Sequence, residues 1–344
     1  MSKICIARVD RIGDLILTLP CQTVWQTSRP EDKIIWLVNE NLKFVMTQVS
    51  PSVNALYVTT PRGFIARVIN GLKLLRQLRE ENIDEVIAVH VPWWIAFAFY
   101  FAGIKRRTGV ASQWYSWIFF NRRLRQKRSQ AVKHESQYNL DLIKFALGNS
   151  DTQVLPATIL HPLEKYVQKW TEKFISSGLD LKRMVVIHPG MAGSARNWPA
   201  IRYRELTAMF LAQKVSVVVT GGLVDKVFLK QTDIENLRGV YSVVGKTDGH
   251  DLLAILSLAR CVVAPSTGVA HLAASVGVPV AGIYSPVKVQ APIRWAPRGR
   301  QVEIFVPQVN CPGVRACLGP VCKYYDCMSE IPVDSVATYV MDKL

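Results

Sequence analysis

The sequence predicts two α/β domains, each a parallel sheet flanked by helices. Short apolar runs rich in β-branched residues alternate with segments whose apolar residues repeat at helical spacing, as βαβ units require. The alternation is interrupted by a basic stretch that starts at residue 105 and is legible again after residue 162. The chain's 344 residues also exceed the usual domain size of about 100–200. The expected division is 1–160, then 161–332, with 333–344 left as a C-terminal segment.

Taken in order, KICIARV is a strand, the glycine of RIGD a turn, and LILTLPCQTVWQ a helix. IIWLV, ALYVT and EVIAVHV are further strands, with helical segments around 41–49, over 64–79 and after Pro92. The apolar run 86–104 approaches the length of a membrane span. His90 and Pro92 interrupt it, so strand, turn and helix is the reading adopted, with a span as the alternative. Residues 135–147 are a helix ended by Gly148, and a proline-containing linker is expected near 155–162. LEKYVQKWTEKFISSG is a helix with Gly178 as its C-terminal cap. The second half then reads MVVIHPG (strand, turn), YRELTAMFLAQ (helix), VSVVVTGG (strand, turn), YSVVG, DLLAILSLA (helix), CVVAPSTG (strand, turn), VAHLAASVG (helix) and VPVAGIYSP (strand).

A composition of 49% hydrophobic and 20% charged residues describes a packed globular chain and excludes disorder. The N-terminus holds Arg8 and Asp10 and lacks an apolar signal region, so a cytoplasmic location is expected. Four of the seven cysteines, Cys311, Cys317, Cys322 and Cys327, crowd one segment without paired C-x-x-C units. Reduced thiols are the default there, with a structural metal or redox bridge as the alternative. The net charge is +16, and residues 1–150 carry 21 Lys/Arg against 11 Asp/Glu. Lys105, Arg106, Arg107, Arg122, Arg123, Arg125, Lys127, Arg128 and Lys133 follow one another with no acidic residue between them. Such a block suits an anionic partner, whether phosphorylated glycolipid, membrane surface or nucleic acid; the plain alternative is a solvated face. WYSWIFF lies inside the block, and basic plus aromatic residues suit a membrane interface.

Ligands of an open parallel sheet collect at the C-terminal ends of strands, where helix N-termini offer free N–H groups. Three turns fit. In Arg11-Ile12-Gly13-Asp14, the aspartate is either an N-cap or a carboxylate aimed at the cleft as general base. In HPGMAGSARNWP (188–199), two glycines make a loop able to wrap a diphosphate, with His188 and Arg196 as donors to it. In APSTGVAHLAASVGVPV (264–280), the Ser266 and Thr267 hydroxyls, the Gly268 amide and the helix dipole make a phosphate site. His271, in the first turn of that helix, either faces the cleft or packs. No G-x-x-x-x-G-K-[ST] or G-x-G-x-x-G fingerprint occurs, which argues against ATPases and nicotinamide-dependent enzymes.

These turns resemble those of the heptosyltransferases, glycosyltransferase family 9, which add sugars to the lipopolysaccharide core. The matching pieces are R-x-D-R-I-G-D-x-x-L-x-x-P (8–20), H-P-G followed by R-x-W-P (188–199), and S-T-G-V-A-H-L-A-A-S-x-G-x-P (266–279). The likeness runs over nearly the whole chain. It implies a GT-B fold of two Rossmann-like domains whose sheets face across a cleft, with a C-terminal helix over 333–344 that crosses back to the first domain. It implies a nucleotide-sugar donor, ADP-heptose before others, with no further cofactor or metal. It also implies an anionic glycolipid acceptor and peripheral contact with the cytoplasmic face of the inner membrane, and no nucleic acid is expected. Asp14 falls where the family keeps its proposed base. Arg196 stands where the family usually has a phosphate-binding Lys, and keeps the charge in a planar fork. Ser266 replaces an Asp common in the family, in a region that touches the donor's phosphates and sugar. Thr267, Gly268 and His271 match the pattern, and with His188 and Gly190 they complete the expected diphosphate site. Arg11, Arg62, Arg67, Arg106 and Arg122 are expected to meet the acceptor.

The mechanism expected is an inverting transfer. Asp14 takes a proton from the acceptor hydroxyl as it attacks the anomeric carbon, and Arg196, Ser266, Thr267 and the amides near Gly268 stabilise the leaving diphosphate. Two alternatives remain: a nucleotide-sugar 2-epimerase of the same architecture, and a non-enzymatic basic membrane- or nucleic-acid-binding protein.

Overall fold

Strands of a parallel sheet covered by helices are apolar on both faces, and such strands form the centre of each half. The computed structural model describes residues 1–148, 156–193 and 195–344. It divides the chain into two units, Met1–Arg128 with Glu135–Thr158, and Ser129–His134 with Ile159–Leu344. The expected linker begins at Leu155, which lies outside the described residues, as does Ser194 of the 188–199 loop.

In the first unit, β1 (Lys3–Arg8), β2 (Lys33–Asn39), β3 (Asn54–Val58), β4 (Glu85–His90), β5 (Arg106–Val110) and β6 (Arg122–Leu124) form one parallel sheet. Its order is β3-β2-β1-β4-β5-β6. The helix expected after β1 is two helices, α1 (Ile12–Ile16) and α2 (Cys21–Ser28). Pro20 separates them, since it has no N–H to continue the ladder of α1. Over one face lie α3 (Phe64–Glu81), α4 (Trp93–Phe101) and α5 (Ser116–Phe119). They enclose a core of Leu74, Leu78, Trp94, Ile95 and Phe99 against Val86 and Ala88. α6 (Glu135–Leu147) completes the unit and contacts α2, β4, β5 and β6. The apolar run 86–104 is thus β4, a turn and α4, and no described helix is long and apolar enough to cross a membrane.

The basic stretch does not interrupt the sheet; it supplies β5 and β6. The arginines of these two strands are accommodated because each guanidinium finds acceptors nearby. Arg107 Nε donates to the Phe119 carbonyl at 2.7 Å, Arg123 Nη1 to the Phe120 carbonyl at 2.9 Å, and Arg122 to the carbonyls of Phe145 and Ala146, both at 2.9 Å. Arg122 therefore satisfies the open C-terminal carbonyls of α6, where a cation is favoured.

The second unit repeats the plan. β7 (Met184–Ile187), β8 (Ser216–Val219), β9 (Val240–Ser242), β10 (Cys261–Pro265), β11 (Val280–Ile283) and β12 (Val302–Phe305) form a parallel sheet in the order β9-β8-β7-β10-β11-β12. β12, VEIF, is a strand that the sequence reading lacked. The longer helices are α7 (Glu164–Ser176), α8 (Ala200–Ala212), α9 (Lys226–Thr232), α10 (Gly249–Leu258), α11 (Gly268–Ser275) and α12 (Val333–Met341). Gly178 caps α7 as expected: at φ 79° it lets Leu179 N–H reach the Phe174 carbonyl at 3.0 Å. The terminal segment expected to cross to the first domain keeps its apolar stripe, Val333, Val336, Ala337 and Val340, in the second unit's core with Phe210 and Ile283. None of the four terminal-segment cysteines is joined in a disulfide, and among the described residues no cluster of His, Cys, Asp and Glu is placed to hold a metal.

In each unit, counting only the strands of its large sheet, the third, second and first in chain order lie to one side and the fourth, fifth and sixth to the other. The order reverses between the first and fourth strands, and there the loops leaving their C-terminal ends diverge to open a crevice. For the first unit this falls between β1 and β4, and for the second between β7 and β10.

Candidate active site

At the end of β1 the pairing with β4 shifts register: Ala7 lies opposite Ala88, but Arg8 lies opposite His90. Such an irregularity re-aims a side chain, and here it is Arg8, only 2% exposed. Its guanidinium is surrounded by carboxylates. Nε donates to Asp10 Oδ1 at 2.7 Å, Nη1 to Glu135 Oε1 at 3.3 Å, and Nη2 to Asp14 Oδ1. Glu135, fully enclosed at the start of α6, also accepts from Arg128 Nη1 at 2.5 Å. Asn139 braces α1 from the same helix, donating to Thr18 Oγ1 at 2.9 Å.

Asp14 is not an N-cap. Arg11 holds that position, without a side-chain cap, and Asp14 is the third residue of α1. Its carboxyl group is pushed up to about 6, because burial outweighs the attraction of Arg8, with Asp10 and Glu135 adding repulsion. Three carboxyls share two guanidiniums, and Asp14 is the one that burial drives to take up a proton at about 6. A carboxylate poised there suits general-base work at physiological pH. Arg8 stands in the quoted R-x-D-R-I-G-D motif, but its role is set by Glu135 and Asn139, far along the chain.

The five arginines expected to meet an acceptor do not share a face. Arg11, Arg62 and Arg67 follow the C-terminal ends of β1 and β3 and are exposed. Arg106 and Arg122 begin their strands, at the opposite edge of the sheet. There they bind the buried Glu85 at 2.8 and 3.3 Å. At the correct edge, beyond β4 and β5, a cavity of about 40 Å³ is lined by His90, Ser112, Gln113, Ser116 and Arg128 among others. The buried Ser116 hydroxyl has no hydrogen-bond partner among the described residues.

In the second unit, the 188–199 loop leaves β7. His188 is buried and its Nδ1 lies 2.9 Å from Thr220 Oγ1. Burial holds its ring down near 4, so it is neutral. The loop is clamped by Asp225, which the sequence reading missed: it accepts from Ala192 N–H at 3.2 Å and Gly222 N–H at 2.9 Å. A Cβ at Gly190 would overlap that carboxylate, which is why glycine stands there. Asn197 closes the loop, donating to the Pro189 carbonyl at 2.8 Å and accepting from the Tyr203 hydroxyl at 2.9 Å. Arg196 is half-buried, its guanidinium 5.6 Å from the centre of the Tyr325 ring and its backbone N–H 3.3 Å from Gln290 Oε1.

The second strand end, β10, leads into α11. Thr267 is its N-cap and accepts from Val269 N–H at 3.0 Å, which leaves the hydroxyl proton for a ligand. Gly268 is the first helical residue, with the helix dipole behind it. Ser266 hydrogen-bonds the Tyr284 hydroxyl, so in place of a carboxylate this position offers a neutral hydroxyl already oriented by its neighbour. His271 is 4% exposed, burial holds it down to about 3, and its Nδ1 has no hydrogen-bond partner among the described residues. Thus His188, Gly190, Arg196, Ser266, Thr267, Gly268 and His271 are all on the two loops and one helix start that flank the β7/β10 crevice.

The family model of glycosyltransferase family 9 (heptosyltransferase) matches residues 71–317. The chain belongs to that family. The lipopolysaccharide core heptosyltransferase OpsX of Haemophilus influenzae is 22% identical over 86% of this chain and 82% of its own. Among solved structures, a family 9 glycosyltransferase from Veillonella parvula superposes with a TM-score of 0.81 at 19% identity, covering 99% of this chain and 97% of its own. The ADP-heptose lipopolysaccharide heptosyltransferase II of Escherichia coli gives 0.77 at 19%, covering 100% and 98%. This family 9 protein is a glycosyltransferase, and its paired parallel sheets are those of the GT-B fold.

Proposed function

We propose that this family 9 enzyme moves heptose, with inversion, from ADP-heptose to a lipopolysaccharide-core or similar anionic glycolipid acceptor. The observation that carries the reading is the buried Arg8–Asp14 pair at the end of β1, which leaves a carboxyl group titrating at about 6 beside a sheet crevice. The first unit supplies this base and the acceptor contacts, with Arg11, Arg62 and Arg67 for acidic groups. The second unit holds the donor diphosphate on Arg196, Ser266, Thr267 and the Gly268 amide.

In the step, the acceptor oxygen gives its proton to Asp14 and forms a bond to the anomeric carbon. The bond from that carbon to the diphosphate oxygen breaks, and its electron pair leaves with the nucleotide. A fixed guanidinium, hydroxyls and helix amides neutralise that charge without reorganisation, so no metal is invoked. The donor assignment draws on relatives: E. coli WaaC has been solved with ADP and with ADP-2-deoxy-2-fluoro heptose. A lipid-linked acceptor also places the reaction at the cytoplasmic face of a membrane.

The test is a transfer assay over a panel of nucleotide-sugars, with the product's anomeric configuration read by NMR. Heptose transfer from the ADP donor, with configuration opposite to the donor's, is expected. Turnover without any acceptor, or a retained configuration, would contradict the proposal.

A further inference from the structure

An unexplained feature of the first unit is the outer surface of its α3, α4 and α5 layer. The inner side of α3 packs through Gly71, Leu74 and Leu78. Its outer side carries Ile65, Ile69 and Leu72 at i, i+4 and i+7, at 75%, 48% and 52% exposure, so an apolar ridge points away from the core. The ridge is continuous with α4 and α5. Phe64 stacks on Trp93 at 5.6 Å, and Phe97 meets Phe119 at 6.1 Å. At the far side Trp114, Trp117 and Ile118 are each more than half exposed, as Tyr100 and Phe101 nearly are. Large apolar groups left in water at this density mark an interaction surface.

The charges around these rings narrow the partner. Arg107 lies over Tyr100 at 5.0 Å and Arg123 over Trp117 at 4.6 Å. Residues 105–133, which include both arginines and both exposed tryptophans, contain no Asp or Glu. Tryptophan and tyrosine beside arginine suit the headgroup level of a bilayer, where the ring enters the acyl boundary and the cation meets lipid phosphate.

We infer that the outer face of α3, α4 and α5 docks this enzyme on an anionic bilayer, with Ile65, Ile69, Leu72, Trp114, Trp117 and Ile118 entering the interface. The choice of occupant rests on the lipid-linked acceptor proposed above; the surface itself does not. Basic residues hold the protein near the lipid phosphates, and the apolar ridge fixes which face turns inward.

The experiment is co-sedimentation of the full chain with vesicles of phosphatidylglycerol and phosphatidylethanolamine, and with phosphatidylcholine vesicles as the neutral control. Two double variants, Ile69→Ser with Leu72→Ser and Trp114→Ser with Trp117→Ser, remove exposed side chains and leave the core intact. The wild type should bind the anionic vesicles and be released by salt, and each variant should bind at least tenfold more weakly. Circular dichroism and turnover of a lipid-free acceptor should match the wild type, which separates loss of docking from loss of folding or of catalysis. Wild-type protein that ignores the vesicles, or variants that bind as well as it does, would overturn the inference. So would a wild-type dimer in sedimentation velocity that the variants dissolve, because the ridge would then join two copies of this chain.

Discussion

Replacing Asp14 with Asn should destroy activity and at the same time stabilise the fold. An aspartate normally titrates at 3.8, whereas burial moves Asp14 to about 6. That difference corresponds to about 3 kcal/mol. Because the folded value is the higher one, the native state binds the proton more tightly than the unfolded chain does. Stability from this group is therefore full at low pH and is lost as pH rises from about 4 to about 6. At neutral pH the wild type carries the whole penalty. Asn has nothing to ionise, and its side-chain oxygen can still accept from Arg8, whose charge Asp10 and Glu135 continue to balance. The variant should thus unfold at a higher temperature than the wild type above pH 6, by roughly 6–12 °C at most for a unit of this size. The advantage should vanish near pH 4. Calorimetric scans of both proteins across this pH range check it. A variant less stable than the wild type at neutral pH would show that the Arg8 attraction outweighs burial, and the reasoning would fail.

The same titration predicts that kcat/KM rises with pH about a midpoint near 6 and then levels, since His188 near 4 and His271 near 3 stay neutral throughout; an initial-rate pH profile flat through 6 would contradict it. Gly190→Ala should cost about 1–3 kcal/mol by driving a methyl group into Asp225 and should weaken ADP-sugar binding in isothermal titration, because the 188–199 loop loses its clamp. Arg122→Met should destabilise the protein by about 1–3 kcal/mol in denaturant titration, as Glu85 keeps only Arg106. Its acceptor KM should stay unchanged; a large rise would place Arg122 at the acceptor site.

The three turns singled out in the sequence were legible because their signals are local. Glycine, proline and hydroxyl residues after an apolar run announce a strand end and a helix start, and the described residues of 188–199 and 266–268 fold accordingly. What escaped the sequence was set by distant partners. Arg8 looks like an ordinary surface cation until Glu135 and Asn139 enclose it, and Asp225 reads as one more helix-start aspartate until the loop 33 residues before it closes on its side chain. β5 and β6 escaped because RRTGV and RRL lack apolar alternation; their arginines are paid for by Glu85 and by carbonyls that no pattern displays. Charge density likewise says nothing about which end of a strand a residue occupies, so the sequence did not separate Arg106 and Arg122 from the arginines at the other edge of the sheet.

Single-turnover kinetics with ADP-heptose and a core glycolipid acceptor, comparing the wild type with Asp14→Asn, test the central claim most directly. Donor affinity should be preserved while the transfer rate falls by about 10²–10⁴. A variant that transfers heptose at close to the wild-type rate would show that the proton goes elsewhere and that the Arg8–Asp14 pair is only structural.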